Sequence, residues 1–250
     1  MKKLLIACGA AAMLGWSTHA AIIYSPANPI NVNIPDGNPS GWSGTATASG
    51  FLPTISDIQV KLNIGGPSPY NGDLYVYISY GGVLVPLLNR VGVTATGGGN
   101  SFGYGDTGFN VTLSSAGAND VHFYQNYSPS FNGSGQLTGT WQPDGRAIDP
   151  QSSPSAFDSA SRVNFGSYNG MNPNGTWTLF IADLSAGGQS ELLSWELDIT
   201  AVPEPVNVAL GIFAVVFLAI TLASRLRVRK LLMLFSTPLQ RQPVEVQSHP

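Results

Sequence analysis

Thr176-Trp177-Thr178-Leu179-Phe180-Ile181 and, past a Ser185-Ala186-Gly187-Gly188 turn, Leu193-Ser194-Trp195-Glu196-Leu197-Asp198-Ile199 decide the fold of this chain. In the first segment Trp177, Leu179 and Ile181 recur at every second position, and in the second Leu193, Trp195, Leu197 and Ile199 do the same. A two-residue period puts each set on one face of a strand, with one face buried and the other wet. The same pattern extends upstream. Ile58, Val60, Leu62 and Ile64 alternate with Gln59, Lys61 and Asn63. Leu74, Val76 and Ile78 alternate again, Tyr80-Gly81-Gly82 turns, and Val83 to Leu88 returns as the second arm of a hairpin. Phe109, Val111 and Leu113 read as another strand, and Val121 to Tyr124 as a short one. Gly97 to Gly108 and the Ser/Pro-rich Asp149 to Ala160 read as loops. Short strands joined by Gly-rich turns, with no amphipathic helical period between the two ends of the chain, predict an all-β sandwich or jelly roll over residues 21–201.

The order of these pieces carries a resemblance. Ile34-Pro35-Asp36 is followed by Ser40-Gly41, a Thr/Ala/Ser strand, and Ile55-Ser56-Asp57-Ile58-Gln59-Val60. Next come Tyr70-Asn71-Gly72-Asp73-Leu74, Leu87-Leu88-Asn89-Arg90 and Gly139-Thr140-Trp141-Gln142-Pro143. Asn172-Pro173-Asn174-Gly175-Thr176-Trp177-Thr178-Leu179, Asp183, and Leu193-Ser194-Trp195-Glu196-Leu197 complete the series. The series resembles the P domain (P/Homo B) that follows the catalytic domain of subtilisin-like proprotein convertases and also occurs in exported bacterial proteins. The resemblance implies a jelly-roll β-sandwich. Two departures are visible: Ser68-Pro69 stands where the family often has a histidine, and Gly97 to Gly133 is long and irregular.

The two ends of the chain read as membrane segments. Lys2 and Lys3 precede an apolar run from Leu4 to Trp16, and Thr18-His19-Ala20 predicts signal peptidase cleavage between Ala20 and Ala21. Leu5-Ile6-Ala7-Cys8 fits a loose lipobox, but too few residues precede Cys8, and the apolar run continues beyond it. Loss of residues 1–20 removes the sole cysteine, so the mature domain relies on its core or on ions, with no disulfide. At the other end, Val206 to Ser224 is uncharged and, as a helix, spans roughly 28 Å, close to the hydrocarbon thickness of a bilayer. Arg225, Arg227, Arg229 and Lys230 follow as a stop-transfer cluster that stays cytoplasmic. Just before the helix, Val202-Pro203-Glu204-Pro205 holds an extended, accessible carboxylate between two prolines. By themselves these residues describe a C-terminal anchor with a proline cap.

Taken together, Pro203-Glu204-Pro205, the apolar span and the basic cluster (202–230) resemble the PEP-CTERM sorting signal of Gram-negative, exopolysaccharide-producing bacteria. That resemblance implies an exosortase as partner, cleavage near Glu204, and transfer from the inner membrane to the cell surface or extracellular matrix. The tail 231–250, with its Leu231-Leu232-Met233-Leu234-Phe235 start, extends past the point where such signals usually end.

Charge narrows the functional classes. Residues 21–201 carry twelve acidic side chains against Lys61, Arg90, Arg146 and Arg162, a net −8 that the whole chain's −3 conceals. So acidic and Lys-poor a surface argues against nucleic acid as partner and suits divalent cations. Catalysis is not expected. A Ser-His-Asp triad needs a histidine base, and the domain offers only His122, among aromatics. Gly99-Asn100-Ser101-Phe102-Gly103 matches a nucleophile-elbow pattern but sits in a Gly-rich loop with no helix after it. The P-domain resemblance implies calcium held by loop carboxylates, with Asp36, Asp73, Asp106 and Asp183 as candidates; the competing reading makes them turn residues bonding their own backbone. Trp141, Trp177 and Trp195 are expected in the core, whereas Trp42 in a Gly/Ser-rich segment is the candidate sugar-stacking residue.

The expectation is an exported, non-catalytic surface or matrix protein with a structural or binding role. Two alternatives stand beside it: an accessory module of subtilisin-like proteolysis, and a carbohydrate-binding module of the exopolysaccharide.

Overall fold

The computed structural model describes the backbone of residues 19–24 and 30–235, and side chains for 30–204 and 209–229. Residues 1–18, which carry the predicted signal sequence up to Thr18, and the tail beyond 235 lie outside the described residues. The chain divides into a unit ending at Pro203 and a second beginning at Glu204.

The first unit is two β-sheets. One contains, in spatial order, β1 (His19–Tyr24), β10 (Glu191–Val202), β4 (Thr54–Gly65), β7 (Phe109–Ser114) and β8 (Leu137–Trp141), with the two-residue β2 (Val32–Asn33) also on β10. The other is β3 (Asn38–Ala48), β9 (Gly175–Asp183), β5 (Leu74–Tyr80) and β6 (Val83–Asn89). All pairs are antiparallel except β7 with β8. The alternation read from the sequence is the alternation that is buried, except at Leu193: a register shift between Leu192 and Ser194 buries Leu192 in its place and leaves Leu193 half-buried. Trp177, Leu179 and Ile181 of β9 and Trp195, Leu197 and Ile199 of β10 are at most 1% exposed. β9 and β10 belong to opposite sheets, and their apolar faces join Val60, Leu62, Val76 and Ile78 in one core.

Local chemistry sets the connections. Gly81 and Gly82 take φ of 56° and 83°, the two left-handed positions that a two-residue hairpin turn between β5 and β6 requires. Pro86, which has no N–H to donate, lies on the edge strand β6 beside a register shift between Val76 and Tyr77, a position a sheet tolerates. The later part of the irregular stretch, after β7, has a topological cause. Parallel strands need a crossover of about a dozen residues or more, and residues 115–136 are the crossover from β7 to β8.

Two further sequence expectations are corrected. Val121 to Tyr124 is not a strand: Val121–Tyr127 forms 3-10 turns, with the Asp120 carboxylate accepting the His122 N–H at 2.5 Å as a cap. The apolar helix is longer than residues 206–224. It runs Pro205–Phe235 through the basic cluster, because Arg, Lys and Leu are strong helix formers and no Gly or Pro lies between Ser224 and Pro238. A smaller refinement is α1 (Pro154–Asp158), one turn of helix in the Ser/Pro-rich loop, started by a proline at its first position. The long helix is α2.

Candidate functional site

Three of the four candidate calcium carboxylates gather where β3, β5 and β9 meet. Asp183 pairs with both Asn38 and Leu74, its neighbours across the sheet. The Leu184 N–H donates to the Asp73 carbonyl at 2.9 Å, and the Gly187 N–H donates to Asp36 Oδ2 at 3.1 Å. Asp183 is 1% exposed; its Oδ2 accepts the Ser190 hydroxyl at 3.2 Å. Burial, reinforced by Asp73 and Asp36, pushes the Asp183 carboxyl up to about 6, against the opposing pull of Ser190 and the Ser185 N–H. Burial also raises Asp73, with Asp36 adding to it, while Ser185 and Arg90 pull it down. Arg90 is held beside this corner by its Nε, which donates to the Gly72 carbonyl at 3.1 Å.

Asp106 belongs elsewhere: its Oδ2 accepts the Tyr124 hydroxyl and Gln125 Nε2, both at 2.6 Å. Among the described residues no three His, Cys, Asp or Glu side chains converge as a metal-ligating group. The corner is therefore a set of electrostatically linked acids, in which burial favours the protonated forms of Asp73 and Asp183.

Gly72 explains the tight Tyr70-Asn71-Gly72-Asp73-Leu74 segment. A Cβ there would lie 2.4 Å from the Phe102 carbonyl oxygen and 2.8 Å from Gly103 Cα, so only glycine lets this turn meet the 97–108 loop. Asn71 fixes the same junction: its Oδ1 accepts the Gly108 N–H at 2.7 Å and its Nδ2 donates to Tyr124.

A second polar centre was not legible in the sequence. His122 and Asp144 are fully buried, with Nδ1 and Oδ2 2.6 Å apart. His122 Nε2 lies 3.0 Å from the Val93 carbonyl, an acceptor, so this nitrogen carries a proton. Asp144 also accepts the Asn89 N–H (3.1 Å), the Arg146 N–H (3.2 Å) and Arg146 Nη1 (3.2 Å). Arg146 Nη1 reaches Asp120 Oδ2 at 3.0 Å. Burial would raise the Asp144 carboxyl, but His122 and Arg146 outweigh it and hold it below the usual carboxylate range. Only the adjacency Pro143-Asp144-Gly145-Arg146 hinted at this cluster, and sequence spacing does not reveal that His122 arrives from a different turn.

Trp42 is half-buried and packs against the core, and its ring covers Gly44, where a Cβ would come within 2.2 Å of it. Trp141, Trp177 and Trp195 are buried, as expected. At the C-terminus, β10 ends at Val202, Pro203 is half-buried, Glu204 is exposed, and Pro205 opens α2 at the helix start, where its missing N–H costs nothing. Ala209–Arg229 is a 21-residue stretch of mean hydropathy 2.2, long and apolar enough to cross a membrane. Arg225, Arg227 and Arg229 are exposed on α2, and the backbone of Lys230 continues it. Ala20 and Ala21 lie in β1, opposite Thr200 and Ile199.

No family model matches this chain. No curated protein matches it either. Among solved structures, the chain is similar to a serine protease of Aeromonas sobria, at 17% identity and a TM-score of 0.36. The match covers 72% of this chain and 27% of that one, so this chain spans about a quarter of that enzyme's length.

Proposed function

We propose that this chain is an exported, non-catalytic protein of the cell surface or matrix. In this reading a P-domain-like jelly-roll sandwich is presented to the outside, and a C-terminal PEP-CTERM signal holds the precursor in the membrane until an exosortase cuts it. The observation that carries the reading is the Val202-Pro203-Glu204-Pro205 junction. A strand stops at Val202, a carboxylate is left exposed at Glu204, and a helix able to cross a bilayer starts one residue later. A processing enzyme needs such an extended, accessible peptide, because a bond inside a sheet or helix cannot enter an active-site cleft without local unfolding.

Support for a non-catalytic role comes from His122. A general base must offer an unprotonated nitrogen to its nucleophile. Here both ring nitrogens are committed, to Asp144 and to a carbonyl, in a place water does not reach. Calcium remains part of the proposal. The raised carboxyls of Asp73 and Asp183 are what cation binding near this corner would lower, and residues 21–201 have a large excess of acids with which to attract a divalent ion.

Mass spectrometry of the protein released by a host with an active exosortase tests the sorting step. The wild type is expected to end near Glu204 and, cut by signal peptidase before β1 pairs with β10, to begin at Ala21, while Glu204→Ala should accumulate as the membrane-bound precursor. Equal release of Glu204→Ala with the same C-terminus rejects the sorting signal and leaves a plain anchor.

A further inference from the structure

Residues 123–143 contain no Asp, Glu, Lys, Arg or His, in a domain otherwise rich in carboxylates. The same segment places two aromatic rings in water, with Tyr127 47% and Phe131 42% exposed. Both rest on a buried aromatic base. Tyr127 lies 6.5 Å from Trp141, and Phe131 lies 6.5 Å from Tyr124. The loop that displays them is fixed. Thr138 donates its N–H (2.9 Å) and its hydroxyl (3.0 Å) to the Ser130 carbonyl, and Asn132 Oδ1 accepts the Ser134 and Gln136 N–H groups, both at 3.0 Å. Ser128 takes φ 51° to turn the chain between the two rings. Gln125 and Asn126 are exposed beside Tyr127, and the carboxylate on the rim, Asp106, accepts from Tyr124 and Gln125.

We propose that this patch binds a neutral polysaccharide chain. The apolar C–H face of a sugar ring packs on an exposed aromatic face, and its hydroxyls bond to amides and to a carboxylate, so no charge on the ligand is needed. A fixed loop adds to this by having little ordering left to lose on binding. A uronic acid or phosphate polymer does not fit, since the segment has no cation to meet it and Asp106 would repel it. His122, Arg146 and Arg162 sit nearby in the fold, but the first two are buried and all three are engaged in the Asp120–Asp144 cluster.

This binding goes beyond the sorting reading and needs no processing, so the uncleaved full chain serves as the sample. The protein is purified in a polyoxyethylene detergent, which carries no sugar head group, and run on native gels containing hydroxyethyl cellulose, mixed-linkage β-glucan, dextran or alginate. Retardation by at least one of the three neutral polymers and not by alginate is expected. Tyr127→Ala and Phe131→Ala should each weaken it about two- to tenfold, the range given by loss of one aromatic contact. Tyr127→Phe should retain it, and Leu84→Ala, an exposed residue on the other sheet, should match the wild type. No retardation by any neutral polymer, equal retardation by alginate, or wild-type behaviour of both alanine variants overturns the proposal.

Discussion

Asp144→Asn removes one negative charge from the buried cluster while preserving its shape. In the wild type this carboxylate faces His122 at 2.6 Å and Arg146 at 3.2 Å and accepts two further backbone N–H groups. The variant leaves the buried Arg146 with Asp120 as its remaining carboxylate and sets an amide N–H₂ against donors. Breaking a buried ion pair by removing one partner costs about 3–5 kcal/mol. For a domain of this size each kcal/mol moves the midpoint by about 2–4 °C, so a loss of roughly 6–20 °C is expected at neutral pH.

The acid side provides a second check. Because the folded Asp144 carboxyl is held below its ordinary range, its contribution is complete above the unfolded value of about 3.9 and is lost as pH falls through the folded value. The wild type should therefore lose stability below about pH 4 more steeply than Asp144→Asn. Tryptophan fluorescence during thermal unfolding is the assay, since Trp42, Trp141, Trp177 and Trp195 all lie in the sandwich and α2 contains none. A midpoint within about 2 °C of wild type at neutral pH, less than 1 kcal/mol in such a domain, would refute the reasoning that the buried pairs of Asp144 with His122 and Arg146 stabilise the fold.

Asp183 has the opposite sign. Its carboxyl is raised to about 6, so the folded state favours the protonated form and stability should fall as pH rises from about 4 through 6; Asp183→Asn should flatten that slope and melt higher at pH above 7. Millimolar calcium at that pH should raise the wild-type midpoint and do less for Asp183→Asn, and a wild type indifferent to calcium and to chelator removes the ion from the proposal. Trp177→Ala strips the ring stacked on Tyr80 at 4.2 Å and should cost about 3–5 kcal/mol by denaturant unfolding, with a loss under 1 kcal/mol counting against a closely packed core. Gly72→Ala should lower the midpoint because its Cβ has no room beside Phe102 and Gly103, and an unchanged midpoint would show that this approach is looser than described.

Alternation and turn chemistry made most of the fold legible: the strands at Ile58, Leu74, Val83, Phe109, Trp177 and Leu193, and the Gly81-Gly82 hairpin, follow from local pattern. The candidate site was legible only in part. Asp36, Asp73 and Asp183 do come near one another, yet they lie over a hundred residues apart in sequence between the first and last, and their proximity depends on which strands are neighbours. Asp106 joins them only as another loop carboxylate implied by the P-domain resemblance; its Oδ2 accepts from Tyr124 and Gln125 instead. Trp42 is the sugar-stacking candidate because its sequence neighbours are small, and that same smallness at Gly44 gives its ring a place against the core.

The sequence by itself determined that the chain is all-β apart from its ends, that residues 21–201 are acidic, and that an uncharged run long enough to cross a bilayer follows Pro205. Those properties depend on composition and on periods of two or a few residues, which any chain segment expresses locally. Tertiary structure alone decided that β9 and β10 lie in opposite sheets, that β7 and β8 run parallel across a long crossover, and that His122 meets Asp144 out of water. Those outcomes depend on which distant segments share the core, a choice made by packing and by hydrogen bonding of buried polar groups, which no local pattern encodes.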